Sequence, residues 1–162
     1  MKNAYKLQSG FTLIELVMVI VLIGILSYGA ASLYSSRDGF AGFIAKDQLI
    51  SSGLLAQQVA MGMSATTDPV SLEVERDVDD FWVFTLTKTG FTSITSSQDS
   101  SGNSITVDGV TLAAGASQTF TWNSNASMGD GANHHVYFTG AHTFRVCFSE
   151  SGYVYESQAA CP

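Results

Sequence analysis

Gly10-Phe11-Thr12-Leu13-Ile14-Glu15-Leu16 is the stretch on which the reading of this chain turns. A polar segment ends at Gly10, an apolar one begins at Phe11, and one acid follows four residues later. Upstream, Met1 to Gly10 carries Lys2 and Lys6 and no acid. Downstream, the 24 residues from Phe11 to Tyr34 hold a single charge, Glu15. About 20 helical residues cross the ~30 Å hydrocarbon core of a bilayer. The run is therefore long enough to span, and the flanking lysines predict a cytoplasmic leader with the remainder exported. A secretory signal peptide and a plain membrane anchor share these features, but two details count against them. A secretory signal places its small-residue cleavage site after the apolar run, whereas Gly10 precedes it, and its apolar region is short and free of acids.

A carboxylate inside an apolar run is costly and by default functional. Cleavage after Gly10 would free the amine of Phe11, a natural partner for Glu15. Within one helix the two groups are not readily paired while both face lipid. The amine of a neighbouring copy can neutralise Glu15, and a low-dielectric surrounding makes that attraction strong. Such a pair would also set the stagger between adjacent helices.

Gly10-Phe11-Thr12-Leu13-Ile14-Glu15-Leu16, with the apolar continuation through Gly24-Ile25-Leu26, resembles the cleavage and assembly segment of type IV prepilins and type II secretion pseudopilins. The resemblance covers about the first 30 residues. It implies that Gly10 precedes the scissile bond, that Phe11 becomes an N-methylated mature terminus, and that Glu15 is the subunit-registering acid. The implied partners are a prepilin peptidase, other pilin or pseudopilin subunits, an inner-membrane assembly platform and membrane lipid. The implied location is the bacterial inner membrane, single-pass with the head in the periplasm, and then a pilus or pseudopilus. Many members of the family have a proline where this chain has Ser32. Without it the helix lacks a kink site, leaving Gly24 and Gly29 as soft points.

The remaining composition agrees with an exported, non-nucleic-acid-binding chain. Charged residues are 13% of the 162, about half the usual share, and the formal net charge is −7. Loss of Lys2 and Lys6 would leave five basic residues against fourteen acids. No basic footprint for phosphate backbones exists, while surface or glycan adhesion stays open. In an exported domain Cys147 and Cys161 read as one disulfide, closing a loop of about 15 residues worth roughly 3 kcal/mol. A redox pair would normally show CxxC spacing.

Beyond Gly39, Phe40, Phe43, Ile44, Leu49, Ile50, Leu54, Leu55, Val59 and Met61 recur at helical spacing. They predict an amphipathic second half of one long helix, 11–65, docked on the head's own sheet and stopped by Thr66-Thr67-Asp68-Pro69. From Val70 the period becomes two, and the alternation runs to Asp79 with acids on the outer face. Further strands are predicted at Phe81–Leu86, Gly90–Ile94, Ile105–Val107, Val110–Leu112, Gln118–Trp122, Val136–Thr139, Thr143–Ser149 and Gly152–Tyr155, with a polar loop from Ser96 to Asn103. The expected fold is α+β: a long N-terminal helix packed on an antiparallel sheet or small sandwich, the head spanning 66–162. The hairpin pattern of Thr143–Phe148 with Ser151–Val154 resembles the end of GspH/FimT-type minor pilin heads. With the two-cysteine ending it also resembles minor pilins of the mannose-sensitive haemagglutinin (MSHA) pilus.

Three constellations carry polar chemistry. Glu73, Glu75, Asp77, Asp79 and Asp80 place acids along a strand, which does not wrap ligands around a Ca²⁺ ion as a loop does. Asn123 to Gly131 has the composition of a calcium loop, but the position of an EF-hand's bidentate acid holds His134, which leaves open only a calcium loop of another kind. His134 and His135 point to opposite faces of a strand; one of them is in reach of His142 across the Thr139-Gly140-Ala141 turn, with no further ligand at metal spacing. They read as turn and surface histidines. No catalytic set, cofactor motif or metal motif is found. The function expected is structural: a pilin-like, minor subunit cleaved after Gly10, contributing to pilus biogenesis or adhesion. The alternatives are a type II secretion pseudopilin and a membrane-tethered periplasmic binding protein or hydrolase.

Overall fold

The computed structural model describes residues 12–34, 37–62, 68–100, 102–140 and 142–161, with backbone alone for 29–34 and 37–39. The fold is α+β, a helical start followed by antiparallel sheets. The chain divides into two units, Met1–Ser36 and Arg37–Pro162. The first contains α1 (Leu13–Tyr34); the second opens with α2 (Arg37–Gly62). Where a single helix was expected over 11–65, two are described, and residues 35 and 36 between them lie outside the described residues. The expected stop at 66–67 lies outside them as well.

The head is a sandwich of two sheets. One has β1 (Val70–Arg76) at its centre, with β2 (Phe81–Thr87) and β3 (Ile94–Asp99) on one side and β6 (Ala116–Trp122) on the other. The second runs β5 (Val110–Thr111), β4 (Ser104–Val107), β7 (His134–Thr139), β8 (Thr143–Phe148) and β9 (Val154–Glu156). The period-two pattern of β1 buries Val70, Leu72 and Val74 and leaves Ser71, Glu73 and Glu75 half-buried on the other face. Between the sheets, Trp82 meets Phe138 edge-on at 5.1 Å, and Phe120 stacks on Phe148 at 4.3 Å. The turn joining β4 and β5 uses Asp108 (φ 48°) and Gly109 (φ 84°), the pair of positive angles a two-residue hairpin favours.

Helix α2 lies against strands of both sheets. Its buried line is Ala41, Ala45, Leu49, Gly53, Ala56 and Ala60, residues three or four apart and all but one small. The large apolar stripe named from the sequence is turned differently. Leu49 is buried and Ile50, Leu55 and Val59 pack at the margin, but Phe40 is 64% exposed, and Phe43, Ile44 and Met61 are exposed too. Small side chains let the helix backbone come close to the sandwich, which bulkier ones would prevent. At Gly53 the approach is tightest: a Cβ there would lie 2.7 Å from Cγ2 of Val154 in β9.

One charged group shares that interface. Lys46 is 4% exposed, its Nζ 2.8 Å from Oε2 of Glu156 on β9 and 3.2 Å from Oδ1 of Asp47. Its ammonium also lies over the Phe43 ring at 4.3 Å and the Phe144 ring at 5.3 Å. Burial works against the charge, but the two carboxylates outweigh it and hold the Lys46 pKa above its ordinary value.

Two strand expectations are corrected. The segment read as a loop from Ser96 forms most of β3, while Gly90 to Ser93 is turn and connection. Backbone pairing with β2 (Val83 opposite Ser97, Thr85 opposite Thr95) holds this polar edge strand, so it needs no apolar face. The acidic strand stops at Arg76 rather than Asp79. Asp77 to Asp80 make a turn in which Asp80 takes φ 65°, and Arg76 grips its carboxylate through Nε at 2.9 Å and Nη2 at 2.6 Å.

Cys147 on β8 is bonded to Cys161, with Cα atoms 5.7 Å apart, which ties the chain after β9 back to the sheet. Cys161→Ser should lower stability by about 3 kcal/mol, read as an earlier denaturation midpoint of the full chain in detergent. Gly53→Ala should cost about 1–3 kcal/mol through overpacking against Val154. Combining it with Val154→Ala should cost less than the sum of the two single changes; strict additivity would show that this contact does not set the helix position.

Candidate functional site

The polar residue types that carry the sequence argument divide between the start of α1 and the head. Gly10 and Phe11 lie outside the described residues; Thr12 and Glu15 do not. Thr12 caps α1. Its backbone N–H and its hydroxyl each donate to Oε2 of Glu15 at 2.8 Å, and its Oγ1 accepts from the Glu15 N–H at 3.3 Å. This is a reciprocal capping box, and it closes two of the donors that a helix start leaves open. The sequence carries the signal, since Thr12-Leu13-Ile14-Glu15 has the T-x-x-E pattern before an apolar run, beside the charge that makes the acid conspicuous. Among the described residues Oε1 of Glu15 has no hydrogen-bond partner.

The acid stands in an apolar setting. Ile14, Met18 and Val19 form a shallow groove with it, and side chains from Thr12 to Tyr28 are exposed all round the helix. A helix apolar on every face has no core-facing side; it suits a buried or lipid environment. Among the described residues no helix is long and apolar enough to cross a membrane. Side chains of α1 are described only from Leu13 to Tyr28, short of the ~20 residues a span requires.

In the head, the acids read as one strand face are dispersed. Glu73 and Glu75 remain on β1, and Asp77, Asp79 and Asp80 belong to the turn. The N–H of Val78 is donated to the Asp77 carboxylate. The Arg76 hydrogen bond holds Asp80 below the usual carboxylate range. In the loop from Asn123, the side-chain oxygens of Asn123 and Asp130 are engaged locally. Oδ1 of Asn123 accepts from the N–H groups of Asn125 and Ser127 at 2.9 and 3.2 Å, and Oδ1 of Asp130 from Ala132 at 3.1 Å. Among the described residues no group of three His, Cys, Asp or Glu could hold a metal ion.

The histidines form a clamp that the sequence did not reveal. His134 sits between two carboxylates, Nδ1 at 2.7 Å from Oδ2 of Asp108 and Nε2 at 2.8 Å from Oδ2 of Asp130. It thereby ties the β4–β5 turn to the loop before β7. His135 shares Asp108 through its backbone N–H at 2.8 Å and its Nδ1 at 3.4 Å from Oδ1, while the His142 ring lies 6.3 Å from Phe144 and joins neither. Asp108 is 26 residues from His134, so pairing of β4 with β7, not sequence spacing, brings them together.

Burial opposes a charged His134, but the hydrogen bond and charge of Asp108, with those of Asp130, raise its pKa above 6.5. Burial likewise pushes Asp130 up, and the Ala132 N–H and His134 outweigh it, so its pKa falls below 3.8. A raised histidine adds stability that is complete below its ordinary value and lost as pH rises through the raised one. A lowered aspartate adds stability above its ordinary value, lost as pH falls through the lowered one. The melting temperature should therefore be flat between these two ordinary values and fall on the alkaline side, and His134→Gln should remove that fall. An imidazole titration of His134 by NMR with its midpoint at or below 6.5 would contradict the clamp.

Residues 5–31, less than a fifth of the chain, match the family described as the prokaryotic N-terminal methylation motif. No curated protein and no solved structure matches the chain. The motif is that of type IV pilin-like proteins, which are generally structural rather than catalytic, and it supports a pilin or pseudopilin subunit that meets a prepilin peptidase and other pilin subunits.

Proposed function

We propose that this chain is a minor type IV pilin-like subunit. It is cut between Gly10 and Phe11, N-methylated at Phe11, held in the inner membrane by α1 with its head in the periplasm, and drawn into a pilus through that helix. The observation that carries this reading is Glu15, set in an otherwise apolar helix within the matched motif. One of its oxygens caps its own helix through Thr12, and the other is left for the Phe11 amine of an adjacent subunit. Exposed Phe40, Phe43 and Ile44 on α2 supply further apolar surface for packing against other subunits. The closing hairpin of β8 and β9 and the Cys147–Cys161 bond support a GspH/FimT-like minor subunit, of the MSHA pilus type. The head then contributes to pilus biogenesis or adhesion.

Intact mass and N-terminal analysis of the membrane-extracted chain, with and without the peptidase, tests the cut. The assembled form should begin at a methylated Phe11, and finding Met1 on it would sink the reading. The capping box separates the two roles of Glu15. Glu15→Gln keeps a side chain that can cap but removes the charge, so it should leave cleavage intact and reduce filament incorporation nearly as much as Glu15→Ala. If Glu15→Gln assembled like the parent and only Glu15→Ala failed, the acid would serve the helix start and not the intersubunit pair.

A further inference from the structure

A cleft of about 310 Å³ opens on the head where β8 begins and the chain leaves β9. Tyr137, Thr143, Phe144, Arg145, Glu156 and Gln158 line it. Tyr137 and Arg145 are opposite one another in the β7–β8 register, and the guanidinium lies 4.8 Å over the Tyr137 ring. Arg76 and Lys46 are both engaged by carboxylates, but Arg145 has none among the described residues. Its Nε–H is buried without a hydrogen-bond partner. The nearest acid along the cleft, Glu156, is already held by Lys46 at 2.8 Å. An arginine stacked on an aromatic ring and left without an acceptor, in a chain where acids outnumber bases two to one, is arranged for an anion from outside.

We propose that this cleft binds a carboxylate-bearing pyranose, a hexuronate-type sugar, with the carboxylate on Arg145. The hydroxyl of Thr143 and the amide of Gln158 supply the polar contacts for ring hydroxyls, and the ring edges of Tyr137 and Phe144 supply apolar ones. The volume is at the small end for ligand sites, about 300–1,000 Å³, and suits one sugar ring. An acidic peptide docking on a sheet edge would add a strand, but β9 is three residues long. The chain beyond it is folded back by the Ser157 N–H bond to the Arg145 carbonyl (3.0 Å) and by the Cys147–Cys161 disulfide. The same two ties hold the wall that carries Gln158 in place before any ligand arrives, which lowers the ordering cost of binding.

This inference deepens the adhesive part of the proposed function and rests on it only for its biological setting. Binding by the full chain in detergent requires neither cleavage nor a filament, so its failure leaves the assembly reading standing, and the converse holds. Saturation-transfer NMR with glucuronate, alongside the Arg145 Nε–H resonance, gives the readout. Glucuronate should bind with a Kd on the order of 1 mM and shift that resonance, while glucose and acetate at equal concentration do neither. Arg145→Gln should abolish binding at an unchanged melting temperature, and Arg145→Lys should weaken it about tenfold, because an ammonium lacks the planar fork. The proposal is overturned if glucuronate leaves the resonance unmoved, if acetate binds as well as glucuronate, if Arg145→Gln still binds, or if a Glu-containing peptide binds more tightly than the sugar acid.

Discussion

The closeness with which α2 lies on the sandwich governs the arrangement of the head. Ala41, Ala45, Gly53, Ala56 and Ala60 offer almost no side-chain bulk, so the helix backbone, rather than a layer of large residues, meets the strands. At Gly53 there is no room for even one carbon beside Val154. That closeness has two further consequences. The large apolar residues of α2 are displaced to the flanks or to the outside, where Phe40 and Ile44 are exposed and Phe43 is only partly covered, by Lys46 and Phe144. It also draws Lys46 into the interface, where the ammonium survives burial because Glu156, Asp47 and two aromatic rings surround it. Removing one partner of such a pair leaves an uncompensated buried charge, so the salt bridge constrains where α2 can sit more than it adds net stability.

Periodicity finds large apolar side chains, and its successes and failures follow from that. The alternation in Val70, Leu72 and Val74 was legible because each inward residue is bulky and each outward one polar, and the Asp108-Gly109 turn because only certain residues accept its backbone angles. The pairing of Cys147 with Cys161 followed from an exported setting with two cysteines. The docking face of α2 was not legible, since alanine and glycine carry little weight in such patterns and the conspicuous Phe40, Phe43 and Ile44 stay largely exposed. Strand β3 was missed because Thr95 to Asp99 are polar, and only backbone pairing with β2 makes them a strand. The acidic run was over-extended because alternation persists in the letters beyond Arg76, whereas the chain turns there around the Arg76–Asp80 pair.

The candidate site was legible in kind but not in detail. An isolated acid in an apolar run announces itself, and Glu15 was singled out on that ground. Its contact with Thr12 is equally local, three residues apart, yet it assigns the carboxylate a second task as the partner of the helix start. The His134 clamp is of the opposite sort. Its two carboxylates lie 4 and 26 residues away, so no local pattern could have joined them, and the β4–β7 pairing was needed first.

These contacts place the chain's chemistry at few points. In the head the Asn123 loop, the Asp130–His134–Asp108 clamp and the Arg76–Asp80 pair are each closed by bonds within the set, so those groups serve shape. Among the described residues, Glu15 on α1 keeps one carboxylate oxygen without a hydrogen bond, and Arg145 in its cleft keeps a buried Nε–H without an acceptor. They differ in the way their surroundings predispose them to a partner. Glu15 sits in an exposed apolar groove, where a cation becomes worth far more once the surface around it is covered, so the proposed pairing would be coupled to assembly. Arg145 is stacked, partly sealed and flanked by a disulfide-tied wall before any partner arrives, so the proposed pairing would depend on the partner's shape and not on assembly. On the proposed reading, such a subunit would separate the group that sets its place in a filament from the group that reads what the filament meets.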